Sequence, residues 1–326
     1  MTGAPRDRFD LVPSVDAELA FLDALDRGRL HHAWLLCGPE GLGKATFAYR
    51  AARRLLGARP DATRGPLGAS PGDPVSQLIS AQSHPDLLVL ERLSEGGKVK
   101  KSISVDQARD LPEFFSKSPS QAAYRVAIVD AADDLNPNAA NALLKTLEEP
   151  PERGVLFLIS HAPGRLLATI RSRCRRLAFA PWDEAAVAAL VARQTDLEDD
   201  EAARIAGMAR GSPGAALSLA TEANLALDRL ARRWVEDPAL DRAEQMAMSD
   251  TFRGADGQGR FEALMDRLTA AVKARSLQTG DGAAWADLWT RLSELPDRTA
   301  AVNLDRADVL SGALADLARV KARTGG

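Results

Sequence analysis

Residues 33–46 read AWLLCGPEGLGKAT: five apolar residues, a glycine-rich turn, and the start of a helix. A short, continuous apolar run such as Ala33–Cys37 is the pattern of a strand covered on both faces. Behind the turn, Phe47, Ala48, Ala51, Ala52 and Leu55 recur at helical spacing, which predicts a helix over Ala45–Leu56. Strand, glycine-rich turn and helix together open a parallel α/β unit. The turn itself, Gly38 to Ala45, is G-x-x-x-x-G-K followed by alanine where a hydroxyl residue normally stands. Gly38, Gly41 and Gly43 let backbone N–H groups converge on phosphate oxygens, and the helix N-terminus behind them favours negative charge. Lys44 would reach the outer phosphates. The hydroxyl missing at Ala45 is the one that binds Mg²⁺. Thr46, one residue on, can touch a phosphate but is not aligned as the metal ligand. A tight turn that binds nothing would need the same glycines. The strand before and the helix after favour a phosphate loop by descent and leave open whether it holds nucleotide.

Working outward, strands and helices alternate from about residue 30 to residue 180. Asp86–Leu90, Tyr124–Val129 and Val155–Ile159 are further buried-type strands, and Arg175–Phe179 is a fifth. Residues 60–74, rich in Gly and Pro, read as a loop, Ser94–Lys101 as a turn, Ser102–Val105 as a short strand and Asp106–Phe115 as a helix. The clearest helix begins at Asn136, a capping residue, with Pro137 in its first turn. Ala140, Leu143, Leu144 and Leu147 line one of its faces, and Pro150 and Pro151 stop it. After Pro181 only helical patterns remain. The expected organisation is an α/β parallel-sheet domain over 1–180, a small helical domain over 181–223 and an all-α domain over 224–326.

The strand ending at Val129 delivers Asp130 to its C-terminal end, where open α/β sheets bind ligands. Asp130 is thus placed to help hold Mg²⁺. Ala131 follows, a residue that can neither accept a proton nor polarise water. Asp133 and Asp134 read as a solvated loop leading to the helix. With both Ala45 and Ala131 in place, two separate parts of a hydrolytic site are missing, and no ATP turnover is expected. Residues 171–176, RSRCRR, display Arg173 after the fourth strand. An arginine there can reach a neighbouring subunit's γ-phosphate, and its planar, permanently charged fork suits phosphate better than lysine does. A basic turn pairing with acids, or touching DNA phosphate, is the plainer alternative. Cys174 reads as a packed small hydrophobe.

Composition limits the function classes. The chain has 326 residues, too many for one core. A net charge of -3 is not the footprint of a protein that clamps nucleic acid over its whole surface. Aromatic residues at 5% argue against a base-stacking platform. No stretch approaches the roughly 20 apolar residues that cross a bilayer, and the N-terminal residues lack a basic-then-apolar signal pattern, so a cytoplasmic location is expected. Two cysteines, Cys37 and Cys174, allow at most one bridge.

Together these stretches resemble the clamp-loader AAA+ family, most closely its bacterial delta-prime-type chains. The resemblance rests on HHAWLLCGPEGLGKAT (31–46), SHPDLLVLE (83–91), ISVDQARDL (103–111), YRVAIVDAADDLNPNAANALLKTLEEPP (124–151), TIRSRC (169–174) and GSPGAALSLA (211–220). It covers about residues 8–220. It implies an AAA+ sheet domain, a helical lid and a helical collar. It places Ser160 at the sensor-1 position, and Gly214 where active members carry a sensor-2 arginine. The implied ATP site is vestigial: Gly38, Gly41, Gly43, Lys44, Thr46, Asp130 and Ser160. No cofactor is required, and occupation by ATP with Mg²⁺ is left open. The implied role is a non-hydrolysing stator of the DNA polymerase III clamp loader, presenting Arg173 to an adjacent ATPase subunit. Gamma/tau and delta subunits would be its partners, with the sliding clamp and primed DNA reached through the complex. One feature departs from the family: with no cysteine between 56 and 82, its four-cysteine zinc module cannot form. His31, His32, His84 and His161 show no ligand spacing. An active gamma/tau-like motor is the alternative, opposed by Ala45, Ala131 and Gly214. A P-loop kinase or transferase fits the helical region after 181 poorly.

Overall fold

The computed structural model describes residues 4–95, 98–236, 241–254, 257–278 and 282–324. They fall into two compact units, 1–217 and 218–326.

The first unit is built on helix α1 (Val15–Asp26), strand β1 (Ala33–Cys37), helix α2 (Lys44–Leu55), helix α3 (Pro74–Ser80), strand β2 (Leu87–Glu91) and a small antiparallel pair, β3 (Ser94–Glu95) with β4 (Lys98–Val99). Helix α4 (Val105–Ser116), strand β5 (Arg125–Asp130), helix α5 (Pro137–Glu148), strand β6 (Gly154–Ser160), helix α6 (Ala168–Ser172) and strand β7 (Arg175–Ala178) follow. Three helices complete the unit: α7 (Glu184–Gln194), α8 (Asp199–Ala209) and α9 (Pro213–Leu219). The five long strands are the five expected, and they form one parallel sheet in the order β2-β5-β6-β1-β7. Side chains alternate along each strand. Trp34, Leu36, Ile128 and Phe157 pack with Phe21 of α1 and Phe47 of α2 on one face. Leu35, Ala127, Val129 and Leu158 pack with Leu111, Leu143 and Leu147 of α4 and α5 on the other. Both faces of the inner strands are therefore apolar, which is why β1, β5 and β6 carry unbroken apolar runs.

Three stretches differ from expectation. Ser102–Val105 is no strand: Ile103 makes a single parallel bridge to Leu135. Ser104 instead caps α4, its hydroxyl accepting from Gln107 N while the Gln107 side chain accepts from Ser104 N. The turn expected over Ser94–Lys101 falls between β3 and β4, with residues 96–97 outside the described residues. Asp73 caps α3, a helix that begins at the end of the expected 60–74 loop and runs beyond it. The loop before it is held by a buried ion pair, Arg50 Nε to Glu18 Oε1 at 2.6 Å. Glu18 also accepts from Leu67 N at 2.9 Å, so the one cross-link spans α1, α2 and the loop.

The second unit is all helical: α10 (Glu222–Glu236), α11 (Arg242–Asp250), α12 (Gly257–Gln278), α13 (Gly282–Val302) and α14 (Arg306–Thr324). Trp234, Phe261, Leu268, Trp285, Leu288 and Leu317 form its core. Among the described residues no helix is long and apolar enough to cross a membrane.

Candidate functional site

The loop between β1 and α2 takes its shape from glycine. Gly41 and Gly43 have φ of +78° and +82°, values that L side chains rarely adopt. Gly43 is the N-cap of α2 and provides no side-chain bond, so the first-turn N–H groups keep the character of an anion cradle. Lys44 is only 2% exposed. Its ammonium donates to the carbonyl oxygens of Gly38 and Pro39 in its own loop. Burial pushes it down to about 8, against the opposing pull of Asp130, Glu40 and Asp133. Thr46 is buried beneath the loop.

Asp130 arrives at the end of β5, in register with Glu91 at the end of β2. Burial pushes its carboxyl up; His161 and Lys44 oppose the rise, while Glu91 and Asp134 add to it. Ala131 is buried and offers nothing but a methyl group. Ser160 ends β6 opposite Cys37 of β1, and its backbone oxygen accepts from Gly38 N. The loop glycines, Lys44, Asp130 and Ser160 are thus gathered along the C-terminal edge of the sheet.

Asp133 is not the solvated loop residue expected. Its carboxylate accepts from Ser160 Oγ at 2.9 Å, His161 N at 2.6 Å and Ala162 N at 3.3 Å. The Ser160 hydroxyl is therefore spent on an acid of its own chain. Asp134 pairs with Arg92 at 3.1 Å.

The start of α9 closes over the backbone of the loop. Gly214 N donates to Gly41 O at 2.8 Å, and Ser212 Oγ donates to Glu40 O at 3.2 Å. A Cβ at Gly214 would stand 2.9 Å from both Cα and O of Gly41, and one at Gly41 would stand 2.2 Å from Ser212 Oγ. The resemblance marks Gly214 only as the place of a missing arginine, and no motif singles out Ser212. The structure adds that position 214 must be small for helix α9 to lie where it does.

Arg173 is not part of this cluster. It follows α6, two residues before β7. Register places Trp34 beside Arg175 and Cys37 beside Ala178, so Arg173 lies at the N-terminal edge of the sheet. With about 3.3 Å per strand residue, that is on the order of 15 Å from the loop. Its Nη2 pairs with Glu148 Oε1 at 2.9 Å, and its Nη1 donates to Thr169 O at 3.1 Å. Burial pushes the neighbouring Cys174 thiol up to about 12, far from a thiolate nucleophile. Arg175 stacks on Trp34 at 4.8 Å. Among the described residues no group of three or more His, Cys, Asp or Glu could hold a metal ion. His84 is buried, its Nδ1 accepting from Asp86 N.

The family model described as DNA polymerase III, delta subunit, matches residues 16–183. A Pseudomonas aeruginosa protein named DNA polymerase III subunit delta' is 42% identical over 188 residues, covering 57% of this chain and 55% of the relative. Its Escherichia coli namesake is 37% identical over 192 residues, covering 59% and 55%. DNA polymerase III subunit gamma/tau of Mycobacterium tuberculosis is 37% identical over 175 residues, covering 54% of this chain and 29% of the relative. The chain thus matches little more than half the length of the delta' relatives. A DNA polymerase III gamma subunit-related protein of Thermotoga maritima, 19% identical, covers 92% of this chain and 99% of its own with a TM-score of 0.51. That likeness is one of fold alone, a parallel sheet with helices followed by further helices.

Proposed function

Since the chain belongs to the DNA polymerase III delta-subunit family, we propose that it acts as a delta-prime-type clamp-loader subunit, a stator that hydrolyses no ATP and lends Arg173 to a neighbour's. One observation carries this reading. The chain's phosphate loop and its half-buried Arg173 occupy opposite edges of one sheet, and only the loop has lost its chemistry.

At the loop, the residues present do not fit Mg-ATP hydrolysis. Position 45 has no hydroxyl for the metal, and position 131 has no carboxylate for water. Lys44 is bonded to loop carbonyls, Ser160 to Asp133, and α9 to the loop backbone. At the other edge, a guanidinium carries full charge at any physiological pH and can meet two phosphate oxygens at once. Placed against a triphosphate bound by an adjacent subunit, it offsets charge that develops on the transferring phosphoryl group. In other systems such a group is worth ~10³–10⁵ in rate. Relatives named gamma/tau are the kind of ATPase subunit it would serve, in assemblies that place a sliding clamp on primed DNA.

The test uses a loader reconstituted with gamma-type subunits. Arg173→Ala should lower DNA-stimulated ATP turnover at the one neighbouring site it serves by about 10³-fold, and Arg173→Lys should recover little of it, since lysine lacks the fork. The isolated chain should show no magnesium-dependent turnover. Brisk hydrolysis by the chain alone, the gamma/tau-like alternative, would end the stator reading.

A further inference from the structure

We propose that Glu148 is the positioning residue for Arg173, fixing the plane of its guanidinium from the last turn of α5. The proposal rests on the reading of Arg173 as a finger and deepens it.

The two hydrogen bonds to Arg173 come from different elements. Glu148, the last residue of α5, takes Nη2 at 2.9 Å. Thr169 of α6 takes Nη1 through its carbonyl at 3.1 Å. A planar fork held at both terminal nitrogens has lost most of its rotational freedom. Its remaining N–H donors stay available for an oxygen-rich anion. Arg165, Arg171, Arg175 and Arg176 surround it in sequence. Among the described residues Arg173 alone of these five has a carboxylate partner within ion-pair distance.

The helix itself gives no reason for an acid at position 148. Carboxylates are unfavourable at a helix C-terminus, where the macrodipole is negative, yet α5 ends in Glu148 and Glu149. A local rule broken without local compensation points to a role outside the helix. Helix α5 is also a firm mount. Asn136 caps it, and Leu143 and Leu147, one residue before Glu148, are fully buried. The pair remains at the surface, with side chains 36% and 51% exposed. Exposed pairs of this kind add little to stability, so removing Glu148 leaves the fold in place.

The experiment uses the full chain in a loader reconstituted with gamma-type ATPase subunits, ATP and primed DNA. Glu148→Ala is expected to lower turnover at saturating ATP by about 2- to 10-fold, the cost of leaving one long side chain unordered. The KM for ATP and the melting temperature of the isolated chain should not change. Glu148→Gln keeps an oxygen acceptor at the same reach and should restore most of the loss. Glu148→Ala added to Arg173→Ala should cost nothing further, because the carboxylate acts only through the guanidinium. Parent-like turnover of Glu148→Ala, or an additive loss in the double variant, overturns the proposal. If Arg173→Ala impairs the loader and Glu148→Ala does not, only the positioning role falls. If Arg173→Ala is silent, the finger reading falls and takes this proposal with it.

Discussion

Lys44 meets two opposing demands. It is buried, which penalises its charge, yet its ammonium finds only carbonyl oxygens to bind. Burial therefore brings its pKa down from 10.5 to about 8. Below pH 8 the folded and unfolded chains both hold the proton, and the desolvation cost is present in full. Between pH 8 and 10.5 the folded chain sheds the proton first, so the unfolded state binds more protons and stability rises with pH. Lys44→Met lacks this response. Going from pH 7 to 9.5, the parent should gain roughly 2 kcal/mol of unfolding free energy relative to Lys44→Met. Urea unfolding of both proteins at the two pH values measures the difference directly, since other titrations cancel. A constant difference would mean that Lys44 is hydrated like a surface lysine. The glycines, Lys44 and Asp130 could be placed along one sheet edge because each belongs to a motif of fixed local spacing. Asp133 was not, since its partners at Ser160, His161 and Ala162 lie at least 27 residues away and spacing does not report them. The same holds for Glu18 and Arg50, 32 residues apart, whose cross-link helps hold the loop after α2.

Among the elements, the inner strands β1, β5 and β6 were easy to read because burial on both faces keeps their central residues apolar. Helix α5 was equally plain, with a capping residue, a proline in the first turn and two more to stop it. Helix α3 was not, because its seven residues bury only Ser76 and Ile79, too few to show a period. Helix α1 carries its signal in Ser14, a cap ahead of Asp16 and Glu18, and a reading centred on the glycine-rich turn passes it by. Helix α9 allows a sharper test, since two effects there have opposite signs. Alanine is favoured over glycine in a helix by about 0.5–1 kcal/mol. At position 214 its Cβ would also meet the Gly41 backbone at 2.9 Å, which cannot yield as a side-chain tip can. Overpacking of that kind costs about 1–3 kcal/mol, so the clash wins and Gly214→Ala should destabilise. Gly312 in α14 has nothing within 4 Å of its would-be Cβ, and Gly312→Ala should stabilise by about 0.5–1 kcal/mol. Paired thermal melts of the two variants decide the matter. Stabilisation by both would show that α9 is not seated on the glycine-rich loop.

At the scale of the whole molecule, the change of pattern after Pro181 reports secondary structure and not where the core stops. The helices beyond it share a cluster with the chain's beginning, Leu11 packing with Leu190 and Leu217. Trp182 Nε1 likewise donates to Pro13 O at 3.0 Å. Contacts of this reach cannot be read from a window of sequence, whereas the switch from strand to helix can. The residues from α10 onward are different, because their apolar faces close on one another. Every member of their core, from Leu230 to Val320, lies inside the same stretch, including Trp234 and Trp285. A core of that completeness meets the requirement for independent folding. Residues 222–326 expressed alone should therefore unfold in a single cooperative transition in urea, with a free energy in the range of about 5–15 kcal/mol typical of single domains. Tryptophan fluorescence should shift to the red in that same step as Trp234 and Trp285 meet water. A fragment that binds a hydrophobic dye in buffer, or loses fluorescence without a sigmoidal transition, would show that its helices need the sheet unit to choose one packing.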